Sequence, residues 1–142
     1  MVRIQDVLHD RDLFCVQTNQ TVADVARRMD ELRVGAILVL ENGELRGVFS
    51  ERDLMTRIVV GRLDPESTPV SAVMTTDLAT ISECCTLEEA LECMNQNKCR
   101  HLPVMRDKQV VGFLSMRDLM MFELDRKTEE LHHLHRYVHG ST

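Results

Sequence analysis

The pattern of apolar and polar positions occurs twice along the chain, with a shift of 65 residues. The run SERDLM at 50–55 returns as SMRDLM at 115–120, and the same shift places Thr21 on Thr86 without a gap. Such self-similarity is the signature of an internal duplication. Because there are only two copies, we expect a closed pair of units and not an open array.

Each copy predicts the same order of elements. An apolar stripe at helical spacing follows Thr21 in the first copy and Thr86 in the second, and each hydroxyl precedes an acid by three residues, as in a capping box. A continuous apolar run, a polar turn and a second apolar run then indicate a hairpin, with the turn at Asn42-Gly43 in the first copy. A second helix follows Ser50 or Ser115. A short extended piece precedes each copy, near residues 14–18 and 78–81.

The segment GRLDPESTP at residues 61–69 has turn formers, mixed charges and no periodicity, so it predicts a linker, which we place at 63–69. We therefore divide the chain into a first unit at 1–62, the linker, a second unit at 70–124 and a helical tail at 125–142. A unit of roughly sixty residues buries too little surface to be stable alone. We expect the two units to pack face to face about an approximate twofold axis in an α+β fold.

Composition and charge narrow the classes of function. The net charge is −6 and no long basic stripe is present, which disfavours nucleic-acid binding. No targeting segment is visible and no apolar run is long enough to span a membrane. Five cysteines, an odd number, suggest reduced thiols. We expect a cytoplasmic protein.

The repeated acid has a purely structural interpretation. Ser50 with Asp53, and Ser115 with Asp118, form the S-x-x-D pattern of a capping box. On this interpretation each pair stabilises a helix by about 1 kcal/mol and does nothing more.

The same geometry also suits a nucleotide. A helix start that follows a strand attracts phosphate, and a carboxylate there can accept hydrogen bonds from both hydroxyls of a ribose. Arg52 and Arg117 can pair with phosphate or with surface acids. Gly47 and Gly112 allow another group to approach the strand backbone closely.

The order of T-x-x-[DE] helix, apolar hairpin, G-h-h-S-x-R-D motif and closing helix, present twice between Ile4 and Phe122, resembles a pair of cystathionine-β-synthase (CBS) domains, a Bateman module. The chain looks most like the small stand-alone bacterial type. The resemblance implies two β-α-β-β-α units in pseudo-twofold pairing, with two clefts between them. It also implies an adenosine-containing ligand: AMP, ADP, ATP, NAD or S-adenosylmethionine.

The resemblance also implies which residues bind. Its ribose-binding acid maps onto Asp53 and Asp118, and its hydroxyl onto Ser50 and Ser115, with Arg52 and Arg117 beside them. The adenine-flanking strand start maps onto Gly35, Ala36 and Ile37 in the first copy and onto Arg100, His101, Leu102 and Pro103 in the second. Thr18 and Thr80 lie before the first helix of each copy. Because Arg100 and His101 have uncharged counterparts, we expect phosphate recognition chiefly near the second copy.

The tail carries a second candidate site. His132, His135 and His139 would share one helix face, which is a zinc-binding spacing without an obvious further ligand. A solvated face is the simpler interpretation. The opposite face has an apolar stripe of Leu124, Leu131, Leu134 and Val138, expected to pack on the module or on a partner and to support a homodimer.

Three functions follow from these features. The first is a regulatory module that senses an adenine nucleotide and signals to an unidentified effector protein. The second is a dimerisation scaffold with empty clefts. The third, an enzyme, is disfavoured because no nucleophile–base pair or cofactor motif is visible.

Overall fold

The computed structural model describes residues 1–8 and 12–138, the last three by their backbone alone. The helices are α1 (Ile4–Val7), α2 (Val22–Leu32), α3 (Glu51–Asp53, continued by a π-helix at Leu54–Val59), α4 (Leu87–Asn97) and α5 (Met116–Val138). The strands are β1 (Cys15–Gln17), β2 (Ala36–Glu41), β3 (Glu44–Ser50), β4 (Ile81–Ser82), β5 (His101–Arg106) and β6 (Gln109–Ser115). A 3₁₀ turn lies at Val70–Ala72.

The two copies fold alike, as the repeat predicts. Each contains a three-stranded sheet, ordered β1-β2-β3 or β4-β5-β6, with one parallel and one antiparallel pair. The register shifts after Val39 in one hairpin and after Val104 in the other, which are equivalent positions. The expected α+β arrangement of two β-α-β-β-α units is confirmed.

Side-chain caps set the starts of the helices. The Thr86 hydroxyl accepts from the Glu89 amide N–H, and the Glu89 carboxylate in turn accepts from Thr86, which completes the capping box. Thr21 accepts from the Asp24 amide N–H in the same way. Both α2 and α4 end at a left-handed residue, Arg33 or Lys98, which satisfies the last carbonyls.

The closing helices differ between the copies. In the first, the α-helical turn passes into a π-helix, and the Thr56 hydroxyl donates to the carbonyl oxygen of Arg52. This bond competes with the regular helix pattern and favours the wider turn. In the second copy, the closing helix and the predicted tail helix are one continuous helix, α5. No proline or glycine interrupts residues 116–138, so nothing ends the helix at the expected boundary.

The segment that precedes each copy packs in the core of the other copy. Residues 1–8, the N-terminal segment, add Ile4 and Val7 to the core of the second copy, and Ile4 N–H donates to the Cys85 carbonyl at 2.8 Å. Residues 69–75, which begin where the predicted linker ends and are called the linker segment below, add Val70 and Val73 to the core of the first copy. Each core is therefore completed by chain that lies before the other copy.

A third apolar cluster forms the seam between the sheets. Ala36, Leu38 and Val48 of the first copy are buried there, and Val110 and Phe113 of the second copy pack against them. The strands β3 and β6 meet along this seam. Burial of a shared apolar surface explains why two small units hold together as one module.

Two simple properties complete the description. Among residues 1–8 and 12–138, no helix combines the length and the apolar character that a membrane crossing requires. All five cysteines are free thiols.

Candidate functional site

A cavity of about 650 Å³ opens where the two copies meet. This volume lies in the range of roughly 300–1,000 Å³ that small-molecule sites occupy. The first copy lines it with Arg33, Val34, Gly35 and Ala36. The second copy lines it with His101, Ser115, Arg117 and Asp118, and with residues 111–113 of β6. Leu8, Asp12 and Phe14, which precede the first copy, complete the lining.

The turn from β6 into α5 places Ser115 and Asp118 at the cavity. The Ser115 amide N–H donates to Asp118 Oδ2 at 2.9 Å, and the Asp118 amide N–H donates to Ser115 Oγ at 3.0 Å. The capping box therefore fixes the carboxylate at the start of a 23-residue helix. Both side chains are half-buried, and Arg117 beside them is exposed. The two residues that cap the helix are therefore also the candidate binding residues.

Gly112 explains why β6 can be approached so closely. A Cβ atom at this position would lie 2.5 Å from Leu8 Cδ1. The close approach that the glycine predicted is therefore made by the N-terminal segment, which forms one wall of the cavity. This segment was not predicted to reach the site.

His101 supplies an aromatic wall. Its ring stacks on Phe113 with the centroids 5.2 Å apart and the planes inclined by 29°. Burial lowers the pKa of His101 below its ordinary value, while the carboxylates of Asp118 and Glu51 act in the opposite direction and Arg100 lowers it further. The imidazole therefore resists protonation.

This environment predicts a pH-dependent stability. Above about pH 6.5 His101 is neutral in both states; below it the unfolded chain takes up a proton before the folded chain does. We expect the free energy of unfolding from urea titrations to fall between pH 7.5 and pH 5.5, and to fall less in His101→Phe. An identical pH dependence in the variant would show that His101 does not carry the effect.

The equivalent acid of the first copy has a different environment. Asp53 is buried, with 8% of its surface exposed. Its Oδ2 accepts from the amide N–H and the hydroxyl of Ser50, both at 3.0 Å. The Thr75 hydroxyl donates to the carboxylate at 3.1 Å, and Arg57 lies 3.6 Å from Oδ1.

The linker segment covers β3 at the same place. A Cβ atom on Gly47 would lie 2.7 Å from Met74 Sδ and 2.8 Å from the Thr75 carbonyl oxygen. Thr75 and Val48 also exchange two backbone hydrogen bonds, at 2.8 and 2.9 Å. Met74 and Thr75 therefore cover the surface of the first copy next to Asp53.

The structure brings only part of the predicted set to the cavity: Gly35, Ala36, His101, Ser115, Arg117 and Asp118. Ile37, Leu102 and Pro103 do not line the cavity; they are buried on β2 and β5, the central strands of the two sheets. Arg52, Thr80 and Arg100 are exposed, and Thr18 donates to Glu41. Ser50 and Asp53 do not line the cavity, and the Thr75 hydroxyl donates to Asp53 instead.

The sequence analysis missed several other residues that line the cavity. Arg33 reaches the cavity because its left-handed backbone ends α2 just before β2. Its positive charge, two residues before Gly35, could have suggested this role. Asp12 and Phe14 lie before β1, in a stretch without periodicity, and only the three-dimensional arrangement brings them to Asp118.

Three histidines of the candidate tail site lie on the surface of the protein. His132, His133 and His135 are exposed, and His139 lies outside the described residues. In the described part of the chain, no group of three or more potential ligands is arranged to hold a metal ion. Leu124, Leu131 and Leu134 are also exposed, so they do not pack on the module; the Val138 side chain is not among those described.

Comparison with known proteins identifies both copies. The family model for the CBS domain matches residues 4–60 and 70–125. Over 133 residues the chain is 34% identical to the "CBS domain-containing protein CBSX3, mitochondrial" of Arabidopsis thaliana, covering 90% of this chain and 64% of that protein. It therefore spans somewhat less than two thirds of this relative.

A second relative matches over most of its own length. The chain is 34% identical over 113 residues to the "CBS domain-containing protein YhcV" of Bacillus subtilis, covering 80% of each protein. Among solved structures, CBSX2 in complex with AMP superposes with a TM-score of 0.77 at 23% identity, covering 89% of this chain and 99% of that one. The latter similarity concerns the fold.

Proposed function

Because the chain belongs to the CBS-domain family, with two such domains in tandem, we propose that it is a regulatory module that binds an adenine nucleotide at the cavity between its copies. The observation that carries the proposal is the meeting of three features in one cavity: Asp118 with Ser115 at a strand-to-helix turn, Gly35 with Ala36 from the other copy, and an aromatic wall. Each suits one part of a nucleotide.

The ribose is the part that Asp118 recognises. A carboxylate fixed by its own capping box can accept hydrogen bonds from the two vicinal hydroxyls of the sugar. Charge-assisted hydrogen bonds of this kind are stronger than neutral ones, so this contact provides much of the selectivity for a ribonucleoside.

The phosphate lies toward the arginines. Arg117, at the start of α5, and Arg33, at the end of α2, both line the cavity and come from different copies. A guanidinium group pairs well with phosphate, and the positive end of a long helix adds to the attraction. The carboxylate of Asp12 also lines the cavity and repels a highly charged anion, so a ligand with few phosphates is favoured.

The base lies in the apolar part. Ala36, Val111 and Phe113 line the cavity near His101. Stacking on an aromatic wall is favourable for a purine. At Gly35 the wall of the cavity is backbone without a side chain, and its carbonyl oxygen accepts from the Glu51 amide N–H at 2.9 Å. One protein of the same fold has been crystallised with AMP, which supports the choice of an adenine nucleotide.

A ligand here signals by touching both copies. It can change how they sit against each other only by binding one arrangement more tightly than another. We propose that an effector protein reads the change. AMP, ADP, ATP, NAD and S-adenosylmethionine remain the candidate ligands.

A second candidate is a dimerisation scaffold. Met55, Val59 and Val60 of the first closing helix are at least 55% exposed, and Met120 and Leu124 of α5 are exposed to a similar degree. Exposed apolar residues at equivalent positions of both copies favour association of two chains. This homodimer is compatible with the sensor and is the remaining function if no ligand binds.

The direct test compares AMP with 2′-deoxy-AMP by isothermal titration calorimetry. If Asp118 binds both ribose hydroxyls, loss of one of them should weaken binding about tenfold. ADP, ATP, NAD and S-adenosylmethionine, titrated in parallel, identify the preferred ligand. Equal affinity for AMP and its deoxy analogue would contradict the ribose assignment. If no compound binds, the dimerisation scaffold is the function that remains.

A further inference from the structure

We propose that the C-terminal part of α5 pairs in parallel with the same helix of a second chain of this protein, as a two-stranded coiled coil. The contact surface, called the tail seam below, consists of Leu124, Lys127, Leu131 and Leu134. The inference goes beyond the nucleotide site and does not depend on it. It identifies one surface that joins two chains, and the orientation in which they meet.

The second half of α5 extends away from the module. Leu119 and Phe122 still pack in the core of the second copy. From Lys127 to His135, by contrast, every residue is exposed, so the module covers no face of the helix over this range. An isolated helix of about 12–15 residues is only marginally stable in water, and helices in proteins gain most of their stability by burying an apolar face. The tail therefore favours a partner that covers its apolar face.

The apolar positions follow the spacing of a coiled coil. Leu124 and Leu131 are seven residues apart, and Leu134 lies three residues further on, as the a and d positions of a heptad do. All three leucines are at least 57% exposed. The sequence continues the seven-residue spacing to Val138. A stripe of this period matches a second helix that carries the same stripe.

The charges beside the tail seam favour a parallel pair. Glu123 and Glu130 lie along one side of the seam, at g positions. Met121 and Thr128, at e positions on the other side, carry no charge. In a parallel pair the acidic side of each helix faces the uncharged side of the other, whereas an antiparallel pair would set Glu130 against Glu130. The seam is thus complementary to itself, as a contact between two identical chains requires.

Lys127 occupies the remaining core position of the tail seam. It lies four residues after Glu123 and three before Glu130, so its own helix provides acids on both sides. Its aliphatic stem can cover apolar surface while the ammonium group reaches water. In a parallel pair the two lysines lie at the same level, and a single polar core position fixes the register at a cost in stability. The lysine therefore weakens the pair, which allows a test by gain of affinity.

Sedimentation equilibrium of the full chain measures the dimer dissociation constant. Leu131→Asp places a charge in the seam and should raise this constant about 100-fold, whereas His132→Asp, next to it on the outer face, should change it by less than about threefold. Lys127→Leu should lower the constant about tenfold. Glu129→Leu adds the same side chain on the opposite face and should leave it within about threefold.

A cross-link tests the orientation. In Leu131→Cys treated with glutathione disulfide, the two thiols at position 131 should join as the reagent is reduced to two glutathione molecules, because this position faces itself only in a parallel pair. A tryptic peptide of residues 128–136 linked to itself is the expected product. A dimer that never yields this peptide would refute the parallel arrangement.

Other results would refute the tail seam itself. One is a wild type that stays monomeric at every concentration measured. Another is association that survives Leu131→Asp but is lost in Val59→Asp, which would place the contact on the first closing helix. Equal effects of Lys127→Leu and Glu129→Leu would show non-specific apolar association. Circular dichroism checks that each variant is folded, and the gain expected for Lys127→Leu keeps the test valid if Leu131→Asp is not.

Discussion

Replacing Asp118 by asparagine is expected to weaken AMP binding about 100-fold, since the ribose loses charge-assisted hydrogen bonds to a carboxylate. Asparagine has nearly the same shape and still offers an oxygen to the Ser115 amide N–H, so the helix cap is largely kept. Isothermal titration calorimetry gives the dissociation constant, and urea unfolding without ligand separates lost binding from lost stability.

The repeat provides a matched control. Asp53→Asn makes the same chemical change in the same motif, but at a carboxylate that accepts from Ser50 and Thr75 inside the protein. We expect it to lower the free energy of unfolding and to leave the AMP dissociation constant unchanged. If the two variants weakened binding equally, Asp118 would have no special role, and a general loss of structure would explain both results.

Replacing Ile4 by alanine is expected to destabilise the protein by about 3 kcal/mol, as typical for a large-to-small change at a fully buried site. Ile4 has no exposed surface and packs among residues of the second copy, including Leu87 and Leu114. The loss would be a large part of the stability of a small domain, near 5–15 kcal/mol. The midpoint of urea unfolding measures it.

Gln5→Ala is the control for the same turn. Gln5 is exposed, and its contact with Glu83 is made by the backbone amide N–H, which the substitution retains. We expect a change within about 0.5 kcal/mol. A loss in Ile4→Ala no greater than in Gln5→Ala would mean that the N-terminal segment does not complete the core of the second copy.

The regular parts of the fold were predictable because they depend on local chemistry. Capping residues such as Thr86 and the apolar runs that became β2 and β5 sit next to one another in sequence, and the repeat supplied the same signal twice. A boundary between the closing helix and the tail could not be located in this way, because residues 116–138 contain no proline or glycine that would separate two helices.

The site was harder to predict, because its parts are far apart in sequence. Asp118 and Gly35, which the resemblance to CBS domains singled out, line the cavity, and their role in binding stays a prediction. The role of Leu8 depends on the exchange of segments, for which a four-residue helix offers no periodic signal. Likewise, nothing in the neighbourhood of Thr75 indicates that its hydroxyl reaches Asp53, since that contact spans 22 positions and is made by tertiary packing.

The exchanged segments also bear on how such a tandem can arise. A single copy carries a leading segment that fits the core of its neighbour, so alone it would bury its apolar face only by trading that segment with another molecule, as domain-swapped dimers do. Duplication within one gene joins the two partners covalently. The effective concentration of each half for the other then becomes independent of expression level, and the two halves are free to diverge.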